Sequence, residues 1–198
     1  MSIVAVVELV RQLDALKAVT RKTKNLADGR YENSAEHSWQ IAMLAWSLAP
    51  FAPVGVNIQR VIQMLLLHDI GEIDTGDTIV YATEGWEQRK AEEWACIQRL
   101  FAPLGETGVA FLALWQEFEL AETVDAKFAH AADRAMPVLL NLANHGQSWV
   151  ENQIGYSQVV NRIQAPIEQG CPALWQYLAG QLAQAQQQGW FAAAATKE

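Results

Sequence analysis

Cysteine is nearly absent from this chain. Cys96 and Cys171 are the two in 198 residues. They lie far apart and form no CxxC pair, which argues against a disulfide framework or a thiolate metal site and fits a reducing, cytoplasmic setting. Basic residues are also scarce, 14 Lys and Arg against 22 Asp and Glu, for a net charge of −8. A chain so acidic lacks the basic stripe that a nucleic-acid polymer requires, although a small phosphorylated ligand could still be held in a local pocket. No run approaches the ~18 uncharged apolar residues of a membrane span. The N-terminal MSIVAVVELVRQLDALKAV begins apolar but carries Glu8, Arg11 and Asp14, with no basic region ahead of an apolar core, so a signal peptide is not expected. No alternating strand pattern of useful length and no internal repeat is found.

What is present is helical periodicity within a chain that is 51% hydrophobic. In segment 3–18, Val4, Val7, Val10, Leu13 and Leu16 fall near one stripe. A basic-polar loop follows over 20–32, with a turn at Asp28-Gly29. Asn33 caps a second helix, and Glu36 three residues on completes a capping box. That helix runs to about Leu48, ahead of Pro50 and Pro53. Asn57 caps a third that ends near Gly71, and a loop spans about 73–85. Further helices are expected at 86–102, 107–118, 123–144, 156–168 and 172–188. The architecture expected is all-α: a single domain over 1–190 with about seven or eight helices, then a flexible tail at 191–198. At helical spacing, Trp86, Trp94 and Trp115 read as core residues rather than base-stacking groups.

Four polar residues stand out against this apolar background. His37 falls in the first turn of the second helix. His68 and Asp69 end the third: Val61, Met64 and Leu65 lead to His68, while Ile62, Leu65 and Leu66 lead to Asp69. Both therefore continue apolar stripes, and a buried carboxylate is costly unless paired or bound to a metal. Asp133 lies in the apolar segment VDAKFAHAADRAMPVLLNLA. Arg134 is its ordinary partner, and Pro137 four residues on clashes with its carbonyl in a regular helix, so a kink or break is expected there. Two histidines and two aspartates make a mixed N/O set suited to one divalent transition metal, Mn²⁺, Co²⁺, Fe²⁺, Ni²⁺ or Zn²⁺, more than to Mg²⁺.

At these residues, in the stretches ENSAEHSW (32–39) and HDIGEIDTGD (68–77) and the later Asp133, the chain resembles the HD-domain phosphohydrolase superfamily, and within it the bacterial 5′-deoxynucleotidase group. The likeness in order and spacing extends from about residue 14 to 145. It implies an all-helical fold, a homodimer, and His37, His68, Asp69 and Asp133 as metal ligands. It also implies catalytic roles for Glu72, near the attacking water or leaving group, and Asp77, which would help to position or protonate it. Arg21 and Arg30 align with basic positions of that group and are candidates for the substrate phosphate, because a guanidinium matches phosphate with a planar fork. Lys90 is a weaker candidate. Lys22 departs from the pattern, since the deoxynucleotidases carry tryptophan there, and this leaves the sugar open. The expected activity is hydrolysis of nucleoside or deoxynucleoside 5′-monophosphates to nucleoside and phosphate. A phosphodiester or another small phosphate ester is the alternative substrate, and a metal-stabilised helical binding protein the alternative of another class.

Overall fold

The computed structural model describes residues 1–77 and 85–192. Helix α1 (Ile3–Leu13) tightens into a 3₁₀ turn (Asp14–Ala18), and strands β1 (Thr20–Lys24) and β2 (Tyr31–Asn33) follow. Next come α2 (Ser34–Ser47), α3 (Ile58–Leu67), the single turn α4 (Glu72–Thr75), α5 (Trp86–Phe101) and α6 (Glu106–Leu120). The chain continues through α7 (Val124–Ala143), the short α8 (Gln147–Glu151), α9 (Tyr156–Gly170) and α10 (Pro172–Gln187). The helices expected from the sequence are all present. The short α4 falls at the start of the segment read as a loop, and α8 lies between the helices expected at 123–144 and 156–168. Residues 78–84, from the expected loop, and 193–198, from the expected tail, lie outside the described residues.

The caps explain where the helices begin. Asn33 accepts from the Glu36 backbone N–H at 2.9 Å, and Glu36 accepts from the Asn33 N–H at 3.0 Å, closing the capping box that starts α2. Asn57 accepts from the Gln59 and Arg60 N–H groups at the head of α3. The segment 20–32 is not a simple loop but an antiparallel hairpin with an irregular register, Thr20 opposite Asn33 and Lys24 opposite Tyr31. Its turn is the one expected at Asp28-Gly29: Gly29 takes φ 71°, and Asp28 accepts from the Arg30 N–H. The all-polar TRKTK of β1 carries no alternation, so the strand was not legible.

Helix α7 is the axis of the bundle. It packs mainly on α9, with α2, α3, α6 and α10 around its other sides. Its buried side is largely alanine (Ala126, Ala129, Ala131, Ala132, Ala135), which lets neighbours approach closely. At Gly170 of α9, an added Cβ would stand 2.1 Å from the Lys127 carbonyl oxygen. Helix α7 is continuous through Pro137, so the expected break is not seen, and Asn141 donates to the Pro137 carbonyl one turn on. Met64 and Leu65 of α3 are fully buried against this core, where truncation of either to Ala would cost roughly 2–5 kcal/mol. In contrast, Val4, Val7 and Val10 of α1 are exposed, and Leu9 and Leu16 are the buried residues of that region. Phe191 stacks on Trp149, so packing reaches just past the boundary expected at 190.

Candidate metal centre

Three elements converge at the middle of α7. His37 comes from the first turn of α2, His68 caps the C-terminus of α3, and Asp69 follows it. Ligand atoms of His37, His68 and Asp69 lie within 4.8 Å of one another. Asp133 of α7 brings its Oδ1 to 3.1 Å from His37 Nε2 and 3.8 Å from His68 Nε2. The four residues expected from the sequence to act together are therefore neighbours, although they are separated by up to 96 positions in the chain.

The hydrogen bonds of the two rings bear on what the cluster can hold. His68 Nδ1 lies 2.9 Å from the Leu65 carbonyl, which can only accept, so Nδ1 carries the proton and the lone pair sits on Nε2. That Nε2 is buried, 2.9 Å from Asp69 Oδ1, yet makes no hydrogen bond. A lone pair facing a carboxylate oxygen at that distance is repulsive unless a proton or a cation sits between them. His37 Nδ1 is likewise buried without a hydrogen bond, 3.7 Å from Glu32 Oε1. The donor set thus calls for positive charge at its centre, and two imidazoles with two carboxylates fit a divalent transition metal.

The titration behaviour of the cluster has the same origin. Burial works against charge on His68, but Asp69 and Asp133 outweigh it and raise its pKa to about 9. Burial, joined by Arg21, lowers His37 to about 4 against the pull of Asp133 and Asp69. The metal-free cluster therefore takes up one proton, on His68, in the place a cation would fill.

Arg21 stands at the mouth of this centre. It donates through Nη1 to Asp69 Oδ2 at 2.9 Å and through Nε to the fully buried Glu32 at 3.3 Å, and it lies 3.5 Å from Asp77. Glu72 accepts from Ser34 Oγ at 2.6 Å. Burial and the neighbouring Asp69 push the Glu72 carboxyl up to about 9 in spite of Arg21. Burial also raises Asp77, against the opposing pull of Arg21. Gly71 lets this turn seat on α5, since an added Cβ would meet Glu93 Cβ at 2.7 Å.

A cavity of about 370 Å³ opens onto the centre, and Arg21, His68, Asp69, Glu72, Asp77 and Asp133 all line it. His37 is not among its lining residues and reaches the cluster from behind, fully buried. Lys22, Arg89, Lys90 and Arg134 add positive charge to the wall, while Trp149, Ile154 and Ile163 make it apolar on one side. Trp115 is core, as expected, and its Nε1–H donates to the His68 carbonyl at 3.0 Å. Trp86, expected in the core, instead lines the cavity and is half-exposed.

Arg30 is placed elsewhere. It lies outside the cavity lining, with its guanidinium committed to Glu36 and Asp28 on the outer turn of the hairpin, so its expected phosphate role has no geometric support. Sequence reasoning gave no role to Glu32, Ser34 or His130. Glu32 and Ser34 sit inside the quoted stretch ENSAEHSW, but the burial of Glu32 depends on the hairpin and has no local signal in the sequence. His130 lies one turn before Asp133 on α7, stacks on Phe118 with ring centroids 4.1 Å apart, and faces the Phe118 carbonyl through Nε2 at 2.8 Å.

These features have counterparts among known proteins. The profile of the HD domain family matches residues 13–175. The crystal structure of a protein from Magnetospirillum magnetotacticum, described as a predicted metal-dependent phosphohydrolase, superposes with a TM-score of 0.87 at 37% identity, over 96% of this chain and 98% of that one. A conserved hypothetical protein from Pyrococcus furiosus shares the fold, with a TM-score of 0.59 at 17% identity over 91% of this chain and 99% of that one. The 5′-deoxynucleotidase HDDC2 of Dictyostelium discoideum is 27% identical over 114 residues, which span 54% of this chain and 60% of that protein. With the histidine–aspartate centre inside the matched region, the chain belongs to the HD domain family.

Proposed function

We propose that the cavity of this HD-domain metal-dependent phosphohydrolase cleaves the phosphate monoester of nucleoside 5′-monophosphates, using His37, His68, Asp69 and Asp133 to hold the metal. The observation that carries this reading is the buried, unbonded Nε2 of His68 facing two carboxylates at the floor of a cavity that also contains Glu72, Asp77 and Arg21. The similarity to a 5′-deoxynucleotidase supports the substrate class, and Lys22 on the cavity wall leaves the choice of sugar open.

A divalent ion held by these four residues would polarise the phosphoryl group and make a water more acidic. The other roles fall to the chain itself. Arg21 is clamped by Asp69 and Glu32, which fixes its guanidinium at the cavity wall, where it can meet a phosphate oxygen. Glu72, held by Ser34 and retaining a proton near neutrality because of its burial, is placed to give that proton to the departing 5′ oxygen. Asp77, beside Arg21, helps to orient the same group. In the overall change the oxygen of water bonds to phosphorus, the bond from phosphorus to O5′ breaks, and O5′ leaves with a proton as the nucleoside alcohol. We further propose a homodimer in a reducing, cytoplasmic setting.

A panel of ribo- and deoxynucleoside 5′-monophosphates, assayed with Mn²⁺ or Co²⁺, tests the substrate. Release of phosphate from some members is expected, and no turnover of any member by metal-loaded protein would sink the assignment. Glu72→Gln should lower kcat by about 10²–10⁴-fold while metal content stays the same. A bis(nitrophenyl) diester assayed beside the matching monoester separates the diesterase alternative, which predicts the faster rate on the diester.

A further inference from the structure

The main cavity runs along α7. That helix lines it with His130, Asp133, Arg134, Pro137, Val138 and Asn141, which follow one face of the helix. Asp133 belongs to the metal centre. Asn141, the lining residue of α7 furthest toward its C-terminus, lies about 12 Å further along the helix axis. The chain folds back there: the Gly146 N–H donates to the Asn141 carbonyl at 2.7 Å, and α8 brings Ser148 and Trp149 to the cavity wall. The end of α9 meets the start of α7, where an added Cβ on Gly170 would strike the Lys127 carbonyl and Ala131. The two helices therefore run antiparallel, and Ile163, two turns before Gly170, falls beside Pro137 and Val138. Away from the metal the cavity thus becomes apolar, with Val138, Trp149 and Ile163 in its wall.

Asn141 is out of character with that wall. It is 2% exposed. Its Nδ2 donates to the Pro137 carbonyl at 2.9 Å, and a carbonyl can only accept, so the amide orientation is fixed and Oδ1 is the free atom. That Oδ1 is buried and has no hydrogen bond. Ser148 does not supply one, since its hydroxyl donates to the Lys22 carbonyl. A buried acceptor left without a donor is costly, and native structures keep few of them. Asn141 therefore calls for an N–H donor carried on an otherwise apolar group. The separation of about 12 Å from Asp133 matches a phosphate at the metal, a sugar, and the far edge of a base.

We propose that the apolar end of the cavity holds the nucleobase and that Asn141 Oδ1 accepts from its exocyclic amine, so that nucleotides of the amino bases adenine and cytosine are the preferred substrates. This rests on the nucleotide reading above and adds Asn141 as a specificity-determining residue. With Nδ2 committed to Pro137, the side chain has no donor to offer. Hypoxanthine or uracil would turn a carbonyl oxygen toward Oδ1, two acceptors with no proton between them. The ring N–H that such a base does carry lies next to a carbonyl, and that oxygen would lose its water against Val138 and Ile163.

The test uses the full chain loaded with Mn²⁺ and two pairs of 5′-monophosphates, adenosine against inosine and cytidine against uridine, each in the ribo and deoxy series. Within a pair the amine is exchanged for a carbonyl and little else changes. The ratio of kcat/KM within each pair is compared for the unsubstituted chain and for Asn141→Leu, with Asn141→Ala read the same way if the leucine variant does not fold. Both members of a pair are measured on one preparation, so loss of folded protein cancels from the ratio. The amino member is expected to be favoured about tenfold or more in the unsubstituted chain, and the preference should fall to about twofold or less in the variant. Ratios near one in the unsubstituted chain, or a preference for the oxo bases, would overturn the proposal while leaving the nucleotide reading in place. A variant that slows both members equally and keeps the ratio would show that Asn141 is only structural, which also overturns it. No turnover of any member overturns the nucleotide reading and this proposal with it.

Discussion

Two charge clusters share the wall of the main cavity, and they are built differently. Around Lys90, every charge has its partner: the ammonium donates to Glu93 at 2.9 Å, lies 2.9 Å from Glu119, and sits over the ring of Trp86. Around His68, the carboxylates of Glu32, Asp69, Glu72, Asp77 and Asp133 face the cations Arg21 and Arg134, and two ring nitrogens have no hydrogen bond. The first cluster is closed, its charges already satisfied by the chain. The second leaves two buried ring nitrogens unbonded, a state that costs stability unless something is bound. A buried polar cluster therefore indicates function when its internal pairing is incomplete, and the two clusters should respond oppositely to mutation.

The sharpest break of that contrast is at Asp69. Asp69→Asn removes one carboxylate from the open cluster and leaves Arg21 without its nearest partner. Metal content, read by elemental analysis, should fall well below one ion per chain, and phosphatase activity should drop by at least about 10³-fold, the scale of the charge stabilisation a metal supplies. Retention of full metal content with full activity would show that Asp69 is not a ligand.

The next effect concerns protons. With His68 raised to about 9, the metal-free cluster holds a proton that a cation must displace, so metal affinity should rise as pH rises toward about 9. The expected slope is up to about tenfold per pH unit for one displaced proton. A chelator competition across that range measures it, and an affinity independent of pH would show that no proton is displaced.

Lys90→Met probes the closed cluster. Removing the ammonium strands Glu93 and Glu119 at a partly solvated site, which should cost about 1–3 kcal/mol in thermal or denaturant unfolding. Metal content should not change. A variant that kept its stability and lost its metal would reverse the assignment of the two clusters.

The sequence revealed the open cluster better than the closed one, for a physical reason. His68 and Asp69 interrupt apolar stripes of α3, and an interruption in a strong periodic pattern is visible locally. Glu93 and Glu119 lie on separate helices, α5 and α6, and meet at Lys90 only once those helices pack. The helices were legible through their caps, Asn33 and Asn57 above all. The hairpin was not, since its stability comes from a turn at Asp28-Gly29 and from packing of its ends, not from alternation. The buried carboxylate of Glu32 was also hidden: in the sequence it is one acid among polar neighbours, and its full burial follows from the hairpin that places it behind His37.

The smallest effect should come from Arg30, and it sharpens the contrast with Arg21 on the same hairpin. Arg21 is held among three carboxylates inside the cavity, while Arg30 is exposed and serves the capping box from outside. A hydrogen bond from Arg30, with help from the Asn33 backbone, lowers Glu36 to about 2. A depressed carboxylate adds stability that is present above its unfolded pKa near 4.5 and is lost as pH falls from there toward about 2. Arg30→Ala should therefore flatten only that acid limb. At neutral pH the melting temperature should drop by no more than about 2 °C, because Glu36 keeps its bond to the Asn33 N–H and exposed ion pairs contribute little. Nucleotide turnover should stay within about twofold of the unsubstituted chain. A large rise in KM would place Arg30 at the substrate after all, which its absence from the cavity lining and its pairing with Asp28 and Glu36 argue against.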